Sequence, residues 1–241
     1  MKSSTSYSAN ATAATIAILA LAYFVIAVVA LYFLNPSYTL ANSIVGNYDL
    51  GSYEFLIAST FFALGVGSLA LVPGLFRVMS PSIRSWMGLL LLGIWGVGMV
   101  IAGIFPANEG GSTVPHMTTV LLAGILPVQV EAYPETKFSF LHLLTILGAF
   151  FSLAVASTLL SWEFKPSESS QRFRSVARIL ALLTLALAVL FIPLFLYPSL
   201  LSYTTFNAGF FVLIGVQIGI VWLILTAAWL RFVDHGSVAT R

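Results

Sequence analysis

The sequence has no cysteine and very little charge. None of its 241 residues is a cysteine, and Asp, Glu, Lys and Arg together make up 7% of the chain, whereas an average soluble domain contains about 25%. The missing cysteines exclude disulfides, thiolate metal sites, iron–sulfur clusters and cysteine nucleophiles. The scarcity of charge excludes a soluble globular domain, a disordered chain and a nucleic-acid-binding protein.

The residues that are present form long apolar runs, and 59% of the chain is hydrophobic. A helix needs about 20 mostly apolar residues to cross roughly 30 Å of hydrocarbon. Six stretches satisfy this requirement, at residues 11–34, 54–76, 86–105, 138–162, 177–198 and 206–230. The first is too long for the apolar region of a signal peptide and lacks a basic segment before it, so we expect a span. The sequence therefore predicts an all-α polytopic membrane protein, a single domain built as a bundle of six transmembrane helices.

A seventh apolar stretch lies within the long loop 106–137. It covers residues 117–130, which is only 14 residues, and it contains Pro127. Because this is short for a span, we expect a re-entrant or interfacial segment, or a packed loop.

The basic residues predict the orientation of the bundle. Six spans place both termini on one side, and nine of the ten basic residues lie on that side, with only Lys137 opposite. Cytoplasmic loops of membrane proteins carry an excess of Lys and Arg, so both termini are predicted to be cytoplasmic, in a bacterial inner membrane. The nine are Lys2, Arg77, Arg84, Lys165, Arg172, Arg174, Arg178, Arg231 and Arg241.

Small residues recur at the four-residue spacing that lets membrane helices approach closely. The fourth span carries Gly148, Ser152 and Ala156, and the sixth carries Gly215 and Gly219 in a GxxxG arrangement. We expect these positions to pack helices within one bundle, while a homodimer through the sixth span is an open alternative.

A few ionisable residues are predicted at the outer ends of the spans. Asp49 and Glu54 precede or begin the second span, His142 lies about one turn inside the fourth, and His116 lies in the long outer loop. Three interpretations remain open. The cluster could provide acid–base chemistry or a metal site held by His116 and His142 with a carboxylate. It could bind a ligand or partner, or it could be structural, since carboxylates stabilise a helix N-terminus.

The interior of the predicted bundle contains no Asp, Glu, Lys or Arg near the midplane. Proton pumps and ion-coupled carriers usually need such a residue, so an ion-driven transporter is disfavoured. Only one histidine, His142, lies in a span, whereas a bis-histidine haem would need facing ligands. We therefore expect no cofactor.

Two segments resemble a known family. Asn47-Tyr48-Asp49-Leu50-Gly51 leads into the second span, and Gly103-Ile104-Phe105-Pro106 closes the third, before His142 opens the fourth. Together they resemble the bacterial six-helix membrane proteins catalogued as domain of unknown function nine-nine-eight. The resemblance implies that the acidic turn, the Phe-Pro turn and the histidine lie near one another on the outer side. Members often carry an acid after the Phe-Pro turn, where this chain has Asn108 followed by Glu109.

These observations favour a protein without enzymatic activity. We expect it to bind a lipid or another small ligand in an outward-facing polar pocket, or to serve as an accessory subunit of a membrane complex. The alternatives are a metal-assisted membrane-embedded hydrolase and a small carrier built from inverted halves. The expected partners are membrane lipids, other membrane subunits or a second copy of the chain, and no nucleic acid.

Overall fold

Each predicted span corresponds to a helix in the computed structural model, which describes residues 4–34, 54–104, 137–164, 171–196 and 208–236. The helices, which we number in chain order, are α1 Ser4–Leu34, α2 Glu54–Val78, α3 Ile83–Ile104, α4 Lys137–Glu163, α5 Gln171–Leu196 and α6 Ala208–Gly236. No strand occurs within the described ranges.

The helices have the length and composition of membrane spans. Five of them, α1, α2, α3, α5 and α6, are long and apolar enough to cross a membrane. Within α4, the apolar stretch Leu147–Glu163 is shorter. The prediction of an all-helical, multi-helix membrane architecture is thereby confirmed. The loop 106–137, with its apolar stretch 117–130, lies outside the described residues.

The helices pack in chain order, and the last one closes the bundle. Each helix contacts its neighbour in sequence, and α1 contacts α6. Helix α6 also contacts α4 and α2, so it lies toward the inside of the bundle. Its Trp222 is fully buried, as are Trp95 of α3 and Phe150 of α4.

The antiparallel helices bring the described arginines to one end of the bundle. We call this the basic end, formed by the starts of α1, α3 and α5 and the ends of α2, α4 and α6. Here Arg77 Nη1 of α2 donates to Asn10 Oδ1 of α1 at 3.1 Å. Arg231 Nη1 of α6 donates to Thr15 Oγ1 of α1 at 3.5 Å. The spatial clustering agrees with the charge asymmetry of the sequence.

Close backbone approaches fix α3 between its two neighbours. A Cβ atom at Gly65 of α2 would lie only 2.6 Å from the Gly96 carbonyl oxygen of α3. On the other side of α3, a Cβ at Gly98 would lie 2.9 Å from Ala149 Cβ of α4. Glycine is therefore required where α2 and α3 meet, because backbone atoms cannot move aside as a side chain can.

Candidate functional site

The ionisable residues predicted to form an outer pocket lie at the end opposite the basic end, or outside the described residues. Glu54 is the first residue of α2, and His142 lies in the second turn of α4. That these two side chains meet in an outer polar pocket stays a prediction. Four predicted residues lie outside the described ranges: Asp49, Asn108, Glu109 and His116.

Metal ligation was predicted for His116 and His142. Within the part of the chain that the structure describes, no three His, Cys, Asp or Glu side chains come together as a metal site. The first of these histidines lies outside that part, so the metal site stays a prediction.

The described residues do form a long apolar groove on one side of the bundle. It has a volume of about 830 Å³ and lies between α2, α3 and α4. We call it the lateral groove. Its walls come from the end of α2, the outward face of α3 and the middle of α4, with the residues Val72, Pro73, Phe76, Trp86, Leu89, Leu90, Gly93, Ile94, Val97, Gly98, Ile101, Thr145, Gly148 and Ala149.

Two glycines make the lateral groove deep. A Cβ atom at Gly93 or at Gly148 would meet no heavy atom within 4 Å, so each position leaves space that a side chain would otherwise fill. Between them, the contact of Gly98 with Ala149 brings α3 against α4 and closes the floor. Gly148, predicted to pack against a neighbouring helix, therefore faces the groove instead.

The groove opens sideways, toward the surroundings of the bundle. Leu90, Ile94 and Val97 line it and are 65%, 48% and 48% exposed. Among the described residues that line it, Thr145 alone carries a hydroxyl group and none is charged. Along α3 it runs from Trp86 to Ile101, which is about 22 Å at 1.5 Å per residue. This length covers most of the roughly 30 Å hydrocarbon thickness of a bilayer.

At the basic end, the lateral groove adjoins a smaller and more polar cavity. This cavity has a volume of about 240 Å³, shares Phe76 and Trp86 with the groove, and adds Ser80 and Ser85. The Ser85 hydroxyl donates to the Ser80 carbonyl oxygen at 2.8 Å. Phe76 and Trp86 meet edge to face, with ring centroids 5.1 Å apart. The lining therefore becomes more polar at the α2–α3 turn.

The other residues predicted to pack helices lie inside the bundle. Ser152 is buried and donates to the Ala149 carbonyl oxygen at 2.6 Å, and Ala156 is buried. A Cβ at Gly215 would meet Phe150 of α4 and Leu187 of α5, and one at Gly219 would meet Leu153 and Thr184 of the same two helices. The GxxxG face of α6 is therefore covered by the chain's own helices.

The sequence analysis did not predict the lateral groove. In the sequence, Gly93 and Gly148 are ordinary small residues of apolar spans, because their surroundings depend on how α3 and α4 are rotated about their axes. A signal was present in Gly93, Gly96 and Gly98. Gly93 and Gly96 share one face of the helix whereas Gly98 points away from it, so the three glycines cannot all serve one packing face.

Comparison with known proteins identifies the family. No curated protein and no solved structure matches the chain. The sequence matches the family described as "Protein of unknown function (DUF998)" over residues 18–229, a range that includes parts of all six helices and the whole lateral groove. The chain therefore belongs to the DUF998 family, which confirms the resemblance noted at the acidic turn, the Phe-Pro turn and His142.

Proposed function

We propose that the protein binds a membrane lipid, with an acyl chain lying along α3 in the lateral groove. The observation that carries this proposal is a continuous apolar groove that opens sideways and runs about 22 Å along one helix. Its volume falls within the range of about 300–1,000 Å³ that is usual for small-ligand sites. An apolar chain fits its lining.

A lipid is favoured over a partner helix as the occupant. Membrane helices associate closely where small residues repeat along one helix. In the groove, the two open glycines, Gly93 and Gly148, belong to different helices. The exposed positions of α3 next to Gly93 are large, namely Leu90, Ile94 and Val97. A flexible chain can follow such a surface, whereas a second helix would be held away from it.

The predicted outer pocket belongs to the same proposal. Thr145 lines the groove at the end opposite the serines, and His142 lies one turn before it along α4. We propose that Asp49, Glu54, Asn108, Glu109 and His142 surround this end of the groove, where they would contact a polar part of the ligand. The proposed role of these residues is binding rather than catalysis. We further propose that the protein lies in the bacterial inner membrane with both termini in the cytoplasm.

The test fills the groove without disturbing the helix contacts. We would introduce Gly93→Trp and Gly148→Trp together, since neither position has a neighbour within 4 Å of a Cβ. The matched control is Ala186→Trp, a small-to-large change at an exposed position of α5. Each protein is purified in a mild detergent, and bound lipid is measured by mass spectrometry per mole of protein.

We expect the wild type and Ala186→Trp to retain lipid and the double variant to lose most of it. The thermal unfolding midpoints of the three proteins should stay within a few degrees of one another. A photoreactive acyl-chain phospholipid, added at one equivalent, should label peptides of α3 and α4 in the wild type. Equal lipid retention in all three proteins would overturn the proposal. So would a copurifying membrane subunit that the double variant releases in place of lipid.

A further inference from the structure

Three arginines lie close together in the first two turns of α5. They are Arg172, Arg174 and Arg178, and the first turn of this helix contains no acidic residue. None of the three forms an ion pair with another described residue. Cations at a helix N-terminus are disfavoured by the helix dipole. The described part of the chain therefore leaves a local excess of positive charge here.

Arg178 is held in place by the end of α4. Its Nε donates to the Ser161 carbonyl oxygen at 3.3 Å. Its guanidinium carbon lies 4.4 Å from the centroid of the Trp162 ring, within the distance of a cation–π interaction. These two contacts fix a positive charge at the basic end of α4 and α5.

Two hydrogen-bond donors in the same region have no acceptor among the described residues. The Arg174 Nε and Trp229 Nε1 atoms are themselves buried, although the two side chains are partly exposed. Leaving such a donor unsatisfied is costly, so an unpaired donor in a native structure indicates a water or ligand that completes it.

The indole of Trp229 is rigidly placed by aromatic neighbours. Its ring stacks on Phe173, with centroids 5.2 Å apart and planes only 3° from parallel. It also packs against Phe164 at 4.7 Å. Phe173 directly precedes Arg174 on α5, so the stacked pair brings the indole of α6 to the turn of α5 that carries the unpartnered arginine.

We infer that Arg174, Trp229 and Arg178 form a site for the phosphate group of an anionic membrane phospholipid. The planar fork of arginine matches phosphate oxygens, and charge-assisted bonds of this kind are the stronger ones. The positive end of the α5 dipole adds to the attraction. A lipid is the expected occupant because the three residues lie where the apolar helices α4, α5 and α6 terminate at the basic end. In membrane proteins, aromatic residues at such helix ends lie at the level of the phospholipid headgroups.

This site is separate from the lateral groove. It involves α4, α5 and α6, whereas the groove is lined by α2, α3 and α4. The two proposals can therefore fail independently. Filling the groove through Gly93 and Gly148 should leave the headgroup preference described below unchanged.

The experiment compares an anionic and a zwitterionic lipid. Full-length protein in delipidated maltoside micelles is titrated with phosphatidylglycerol or phosphatidylcholine, and bound lipid is counted by native mass spectrometry. The main variant is Arg174→Gln, and Trp229→Phe keeps the ring stack while removing the Nε1 donor. The control is Arg77→Gln, which makes the same charge change at the same end of the bundle, on a guanidinium that donates to Asn10.

We expect Arg174→Gln to weaken phosphatidylglycerol binding by about tenfold or more, which corresponds to about 1.4 kcal/mol, because a hydrogen bond between two charged groups is among the stronger ones. Trp229→Phe should weaken it less, and neither should change phosphatidylcholine binding. Equal losses in Arg174→Gln and Arg77→Gln would overturn the site, because they would show a general charge effect. Displacement of bound phosphatidylglycerol by millimolar inorganic phosphate would overturn the assignment to a lipid. No loss in either main variant would show that the two donors are completed by water alone.

Discussion

Trp222 of α6 donates its indole Nε1 hydrogen to Ser161 Oγ of α4 over 2.8 Å, and both residues are fully buried. The same hydroxyl lies 3.3 Å from the Ala177 carbonyl oxygen of α5, to which it donates. A single serine therefore joins three helices through one donated and one accepted hydrogen bond. The arrangement satisfies polar groups that have no water available in the interior of a membrane-type bundle.

We predict that Ser161 and Trp222 are energetically coupled. Ser161→Ala leaves the indole donor buried without an acceptor, while Trp222→Phe removes the donor and retains an aromatic ring. In a double-mutant cycle, the coupling free energy should lie between about 0.6 kcal/mol, the average measured for hydrogen bonds between membrane helices, and about 1.7 kcal/mol, the largest value measured. The measurement is the free energy of unfolding of the four proteins in detergent. Additive effects of the two substitutions would contradict the bond.

We predict different effects of alanine at Gly65 of α2 and at Gly93 of α3. Gly65→Ala should destabilise the protein by about 2 kcal/mol or more, because overpacking is costly and the new Cβ would lie 2.6 Å from a backbone oxygen. Gly93→Ala should be neutral or stabilise by up to about 1 kcal/mol, since alanine is the better helix former and the site is open. Thermal unfolding midpoints in the same detergent compare the two. Similar losses for both variants would contradict the close approach of α2 and α3.

We predict an intermediate effect at Gly219. A Cβ there would lie 2.6 Å from the Leu153 Cδ2 atom, which is the far end of a side chain that can rotate away. Gly219→Ala should therefore cost about 1 kcal/mol, less than Gly65→Ala. The double variant Gly219→Ala with Leu153→Val should recover part of that loss. A larger cost at Gly219 than at Gly65 would show that α6 is packed more rigidly than α2.

We predict that the basic end faces the cytoplasm, because nine of ten basic residues are assigned to that side. The chain contains no cysteine, so single-cysteine labelling has no background. Ile83→Cys lies at the start of α3 on the basic end, and Phe55→Cys lies near the start of α2 at the other end, both at highly exposed positions. A membrane-impermeant maleimide should label residue 55 in intact cells and residue 83 only after permeabilisation. The reverse pattern would show the opposite orientation.

The helices were predictable from the sequence because the physical requirement is local. A run of about 20 apolar residues is long enough to span hydrocarbon wherever it occurs, and the six runs correspond to α1–α6. The helices extend past some predicted bounds, as α6 does beyond residue 230 to Gly236. Polar and charged residues continue a helix once the apolar part has formed, so hydropathy places its middle better than its ends.

The lateral groove and the inferred phosphate site at Arg174 and Trp229 were not predictable, because both depend on how the helices are rotated and paired. Gly98 and Gly148 are the same residue type in similar apolar runs, yet one closes the groove floor and the other opens the groove. Similarly, Trp229 and Phe173 lie 56 positions apart in the chain, and only the packing of α6 on α5 stacks their rings. The predicted outer pocket depended on residues that lie mostly in connections between helices.

The inner position of α6 has a consequence for how the protein is made. This helix is the last of the six to leave the ribosome, yet it contacts α1, α2, α4 and α5. Until it arrives, Ser161 and Thr184 have no sixth helix to cover them, and α1 cannot form the bond between Thr15 and Arg231, residues 216 positions apart. The contacts that close the bundle become available only once α6 has been made.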